Sequence, residues 1–145
     1  MNLRLLSLSG FGILVVDLVI LLITGSLIAT VDLLIGIQVA AVILLLWSRV
    51  TFGRRSFHAG ADPTEGGIVR TGPYRFIRHP IYASLLYFIL AGVLSHLSIL
   101  NIILAAVAVV AVIMRVYPEE VLLMGRYPEY REYAAGTKRF IPFVF

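Results

Sequence analysis

Apolar residues in this chain fall into four long runs: about Leu5 to Thr30, Leu33 to Trp47, Ile81 to Leu94 and Ile99 to Val116. A helix that crosses a bilayer needs about 20 mostly apolar residues, and a compact soluble core cannot hide several such runs. The polar side of the composition agrees. Only 14% of the residues are charged while 60% are hydrophobic, too little charge to cover a water-soluble domain of this length. The second, third and fourth runs are short for a full span. Flanking arginines, with stems buried and heads in the headgroup region, and rings such as Trp47 and Tyr117 supply the rest.

Charge placement gives the topology. Four antiparallel helices would bring the N-terminus, the polar stretch from Ser48 to Arg78 and the C-terminal tail to one side of the membrane. All 12 basic residues lie in or beside those segments. They are Arg4, then Arg49, Arg54, Arg55, Arg70, Arg75 and Arg78, then Arg115, Arg126, Arg131, Lys138 and Arg139. The opposite side keeps short turns near Asp32 and Ser95–Ser98. The positive-inside rule therefore puts both termini in the cytoplasm, and an odd number of spans would scatter the charge. Arg4 followed by an apolar run loosely resembles a signal peptide. Asp17 interrupts the run and no clean small-x-small site follows, so a retained helix is expected.

The sequence thus predicts an all-α integral membrane protein with four transmembrane helices and a short cytoplasmic C-terminal helix. It reads as a single membrane domain. Residues 1–50 form a first hairpin, 51–80 a cytoplasmic loop, 81–117 a second hairpin and 118–145 a cytoplasmic tail. Cysteine is absent, which excludes disulfides and thiolate chemistry. His58, His79 and His96 lack the spacing of a metal cluster, so no metal is expected. No nucleic-acid partner is expected either; the partners are membrane lipids and a lipophilic or lipidated acceptor. Asp17 and Gln38 are intramembrane polar groups, for which interhelical hydrogen bonding is the simplest role.

The chemistry concentrates in Gly72-Pro73-Tyr74-Arg75-Phe76-Ile77-Arg78-His79-Pro80-Ile81-Tyr82. Gly-Pro makes a turn. Pro80 pushes His79 away from helical angles and suits a first helical position, so the third helix should start there. Its N-terminal N–H groups and positive dipole end, beside Arg78 and His79, suit an anionic group such as an amino-acid carboxylate.

A second cluster is Arg115-Val116-Tyr117-Pro118-Glu119-Glu120. Arg115 and Glu119 share a face if the helix is continuous. Two adjacent carboxylates at a membrane boundary are costly unless solvated or paired. In the tail, Pro128 fits a helix start and Gly136 a stop, with Tyr130 and Tyr133 on one face between them. Arg139-Phe140-Ile141-Pro142 follows.

Taken in order, these stretches resemble the isoprenylcysteine carboxyl methyltransferase family of membrane enzymes. Its pattern is Gly-Pro-Tyr, Arg-His-Pro-x-Tyr, a helical hairpin, Arg-x-x-x-Glu-Glu-x-x-Leu, Tyr-x-x-Tyr and Arg-x-x-Pro. Here it reads Gly72-Pro73-Tyr74, Arg78-His79-Pro80-Ile81-Tyr82, Arg115, Glu119-Glu120, Leu123, Tyr130, Tyr133, Arg139 and Pro142. Ser84 stands where many members carry Gly, and both are small. The resemblance implies S-adenosylmethionine bound between the last two helices and the tail. By position, Tyr74, Arg78, His79, Tyr82 and Glu120 would serve the cofactor. Arg115, Glu119 and Arg139 would act on the substrate side, the arginines orienting an acidic group.

The implied reaction is in-line methyl transfer to a lipophilic acceptor such as an isoprenylcysteine carboxylate. Such a transfer depends on alignment and exclusion of water. A phospholipid amine is an alternative acceptor, for which Glu119 or Glu120 would take the proton. The Arg-His-Pro-x-Tyr stretch also occurs in membrane sterol reductases that use NADPH. A non-catalytic membrane subunit is the remaining reading, and it would leave Arg115, Glu119 and His79 far apart in space.

Overall fold

The computed structural model of the protein describes residues 2–53 and 66–142. Arg54, Arg55 and His58, used in the charge and metal arguments, lie outside these residues. The described chain is helical: α1 (Leu3–Ile23), α2 (Asp32–Phe52), a 3-10 turn (Gly72–Arg75), α3 (Pro80–Ser95), α4 (Ile99–Arg126) and α5 (Tyr130–Gly136). Its extended pairing is one isolated bridge between Ile77 and Lys138.

The helix starts follow local chemistry. The Asn2 side chain accepts from the N–H groups of Arg4 and Leu5 and opens α1. Ser98 accepts from the Asn101 N–H and opens α4. Each satisfies donors that a helix start leaves without partners. His79 caps α3 and Pro80 is its first residue, as the sequence predicts.

By length and composition, α1, α2 and α4 can cross a membrane, while α3 is a shorter apolar helix. The 16 residues of α3 reach only about 24 Å at about 1.5 Å per residue. The four expected spans therefore correspond to three long apolar helices and one short one.

Two boundaries differ from expectation. The fourth run ends near Val116, yet α4 continues through Pro118 to Arg126. Proline removes one hydrogen bond but leaves the rest of the ladder free to resume. Polar residues beyond Val116 hide this continuation from any hydropathy argument. Pro128 lies in the turn before α5, which begins at Tyr130 with Glu129 as its cap.

α1 lies along α4 and α2 along α3, each pair antiparallel. In lipid, helices are held by close approach and hydrogen bonds rather than by apolar burial. Gly10 of α1 supplies the close approach: a Cβ there would stand 2.8 Å from the Ala111 carbonyl oxygen. Ala105, Ala108 and Ala111 are buried on α4. Gln38 behaves as predicted, donating to the carbonyls of Leu27 and Phe88 and accepting from the Ala29 N–H. Asp17 does not. It is 1% exposed, and neither carboxyl oxygen has a hydrogen-bond partner. Asp17 lies on the buried face of α1 with Leu14 and Leu21, and the expected interhelical bond is absent among the described residues.

At the end away from the polar loop, the Thr30 N–H donates to Ser95 Oγ and Asn101 Nδ2 to Ser26 Oγ. These bonds tie the α1–α2 turn to the α3–α4 turn. The described basic residues gather in or beside the opposite end.

Candidate active site

The site is built from the loop before α3, the C-terminal half of α4 and the tail. Gly72 sets the loop. Its φ is +56°, and a Cβ would lie 2.7 Å from Thr51 Oγ1 and 3.1 Å from Trp47 Nε1. Only glycine fits against the end of α2 in this conformation. Tyr74 follows, buried, with its ring 5.4 Å from Phe52.

Backbone bonds then join loop and tail. The Arg78 N–H donates to the Lys138 carbonyl at 2.7 Å and the His79 N–H to the Arg139 carbonyl at 3.2 Å; the Lys138 N–H returns to Phe76 at 3.2 Å. This pairing brings the Arg-His-Pro stretch beside the closing arginine.

Glu120 is the hub. Its Oε1 accepts from Arg78 Nε at 2.6 Å and from His79 Nε2 at 3.0 Å. Its Oε2 accepts from the Arg139 guanidinium at 2.8 Å. An ionised carboxylate only accepts, so His79 carries a proton on Nε2 in this arrangement. Three partners compensate the burial of Glu120, whose side chain is 6% exposed. Glu120 in turn raises the Arg139 pKa by hydrogen bonding. Arg78 also donates to the Thr137 carbonyl at 2.7 Å and more weakly to Ala134 at 3.4 Å, tying α4 to the end of α5.

Glu119 differs from its neighbour. Its side chain is 30% exposed, and its Oε1 lies 4.0 Å from His79 Nδ1, beyond hydrogen bonding. Of the two carboxylates, Glu120 is buried under three partners, while Glu119 is partly exposed and hydrogen-bonds the Tyr82 hydroxyl.

Arg115 lies deeper, 5% exposed. Its Nε donates to the Tyr82 hydroxyl at 3.2 Å and its Nη1 to the Ser7 carbonyl at 3.1 Å. The guanidinium sits 5.2 Å from the Phe11 ring centroid and 5.7 Å from that of Tyr82. The Tyr82 ring is 5.9 Å from that of His79, so the Arg115 group and the Glu120 group adjoin.

The tail closes with aromatics. The Tyr133 hydroxyl donates to the Tyr74 carbonyl at 2.7 Å, and Arg70 lies 5.7 Å from the Tyr133 ring centroid. Tyr130 stacks edge-on against Tyr133 at 5.8 Å. Burial pushes the phenols of Tyr74, Tyr130 and Tyr133 up, so all three stay protonated.

All eight residues singled out in the sequence fall in this one region. Arg139 is held on Glu120, and Arg115 is held by Tyr82 and α1. Sequence reasoning missed Ser7 and Phe11. They sit in a featureless apolar run, where nothing marks which face meets Arg115. It also missed Thr137, whose backbone carbonyl rather than its side chain makes the contact.

The profile of the phospholipid methyltransferase family matches residues 28–130, most of the chain. The chain belongs to that family. No curated protein matches the chain, and no solved structure does. The phospholipid methyltransferase family lies within the isoprenylcysteine carboxyl methyltransferase-like group of membrane methyltransferases, in agreement with the motif resemblance. The matched segment contains Gly72-Pro73-Tyr74, Arg78-His79-Pro80, Glu119 and Glu120. Within this methyltransferase, α1 with Ser7 and Phe11, and the closing Arg139, lie outside it.

Proposed function

We propose that the protein is an S-adenosylmethionine-dependent methyltransferase acting on a lipid acceptor at the cytoplasmic boundary of the membrane. The observation that carries this reading is the convergence of His79, Glu119 and Arg115 on one region, within the segment matched by the family profile. A non-catalytic subunit has no need of that convergence, and the profile argues against a reductase. The same reading has α3 as a fourth, short span, with Arg75 and Arg78 before its N-terminal end and both termini cytoplasmic.

The residues suit the cofactor by charge and hydrogen-bonding capacity. The first N–H groups of α3 have no intrahelical acceptors, and with His79 and Arg78 they suit a carboxylate. Glu119 is partly exposed and, beyond its bond with Tyr82, has lone pairs that suit an ammonium or ribose hydroxyl. Glu120, with its three cationic or donor partners, holds Arg78, His79 and Arg139 in place. S-adenosylmethionine, when bound, supplies an electrophilic methyl group on a sulfonium.

The acceptor follows from the remaining side chains. A carboxylate acceptor of the isoprenylcysteine type needs a cation to orient it. Arg115 is buried on Tyr82 and Ser7, and Arg139 is drawn onto Glu120. A phospholipid amine needs a group that takes its proton, and the partly exposed Glu119, beside His79 and bonded to Tyr82, suits that role. Together with the family profile, this favours the amine.

The test is transfer of labelled methyl from S-adenosylmethionine in two kinds of vesicle. One contains an aminophospholipid and the other an S-farnesylated cysteine derivative. Label in the amine headgroup is expected. Base-labile label on the farnesylcysteine would move the reading to the carboxylate, and no label in either from a folded, cofactor-binding protein would sink the lipid acceptor.

A further inference from the structure

Both tyrosines of the Tyr-x-x-Tyr stretch, Tyr130 and Tyr133, are buried, and the two behave differently. Tyr133 has its bond to the Tyr74 carbonyl. The Tyr130 hydroxyl is buried and has no hydrogen-bond partner, although the residue is only 2% exposed. A buried hydroxyl without a partner is costly, and proteins rarely tolerate one. Its surroundings are polar. The Tyr130 phenol lies within electrostatic reach of Glu120, Glu119, Arg78 and Arg139, the side chains that line the candidate site, yet it bonds none of them.

We propose that the Tyr130 hydroxyl is a cofactor-binding group, held without a protein partner so that it can hydrogen-bond to S-adenosylmethionine. The inference rests on the methyltransferase reading above. The chemistry is specific: a neutral phenol beside two carboxylates meets a ligand group that itself carries donors, such as an ammonium or ribose hydroxyl. Its acceptor lone pairs and its single donor extend the set that Glu119 offers. α5 then acts as more than an interfacial anchor. Arg78 fixes the C-terminal end of α5 through Thr137, and the helix start carries Tyr130 to the site.

Tyr130→Phe removes only the hydroxyl and keeps the ring contact with Tyr133. Two measurements separate the possible roles: calorimetric affinity for S-adenosylhomocysteine and the thermal midpoint without ligand, both on the full chain in detergent. The expected result is a loss of affinity of about five- to tenfold with a midpoint unchanged or raised, since an unsatisfied group has been removed. Unchanged affinity would overturn the proposal. Lost affinity with a lowered midpoint would also overturn it, because the hydroxyl would then be structural. A wild-type protein that binds no S-adenosylhomocysteine would fail the methyltransferase reading itself, which is a separate outcome.

Discussion

His79 Nε2 lies 3.0 Å from Glu120 Oε1, joining the start of α3 to the far part of α4 across 41 residues of chain. Arg78 and Arg139 meet the same carboxylate, so one buried acid organises three segments.

Removing that acid leaves buried Arg78 without its counter-charge and His79 without its hydrogen-bond partner. Glu120→Ala is expected to destabilise the protein by about 3–5 kcal/mol. Glu120→Gln keeps the shape and one acceptor and is expected to lose less. Thermal unfolding in detergent, compared between the two variants, checks the order.

The α1–α4 contact makes a matched pair of glycines informative. At Gly10 a Cβ meets the Ala111 carbonyl, while at Gly12 nothing lies within 4 Å. Gly10→Ala is expected to cost about 1–3 kcal/mol through overpacking. Gly12→Ala is expected to be neutral or stabilising by up to about 1 kcal/mol, since alanine favours helix. Equal effects at the two positions would argue against the α1–α4 packing.

Asp17 and Gln38 should respond in opposite directions to the same change. Asp17→Leu removes a buried carboxyl that has no partner and is expected to stabilise by about 1–3 kcal/mol. Gln38→Leu strands the Ala29 N–H and the Leu27 carbonyl and is expected to destabilise by about 1–3 kcal/mol. Paired unfolding curves of the two variants read both signs.

The sequence was legible where chemistry leaves a local mark. Pro80 announces the start of α3, Gly72 the turn before it, and Glu119-Glu120 the acid pair. It was less legible where the decision depends on which helix faces which. Asp17 reads as a hydrogen-bonding residue, yet its buried carboxyl has no partner among the described residues. The contacts of Arg115 with Ser7 and Phe11 of α1 were hidden in the same way. Within an apolar run, the lipid-facing and protein-facing sides are equally hydrophobic, so periodicity cannot mark them. The length of α4 was hidden for a related reason, since hydropathy follows the membrane boundary and not the helix end. The adjacent carboxylates looked alike in sequence; the pairing of residues 76–79 with the tail makes Glu120 a buried hub, while Glu119 stays partly exposed beside Tyr82.

The most direct test of the central claim is calorimetric binding of S-adenosylmethionine to the purified protein in detergent, with NADPH in parallel. His79→Ala and Glu119→Gln serve as site variants. The wild type is expected to bind S-adenosylmethionine and not NADPH, with affinity falling about tenfold or more in each variant. A folded wild type that ignores S-adenosylmethionine, or that binds NADPH instead, would contradict the account.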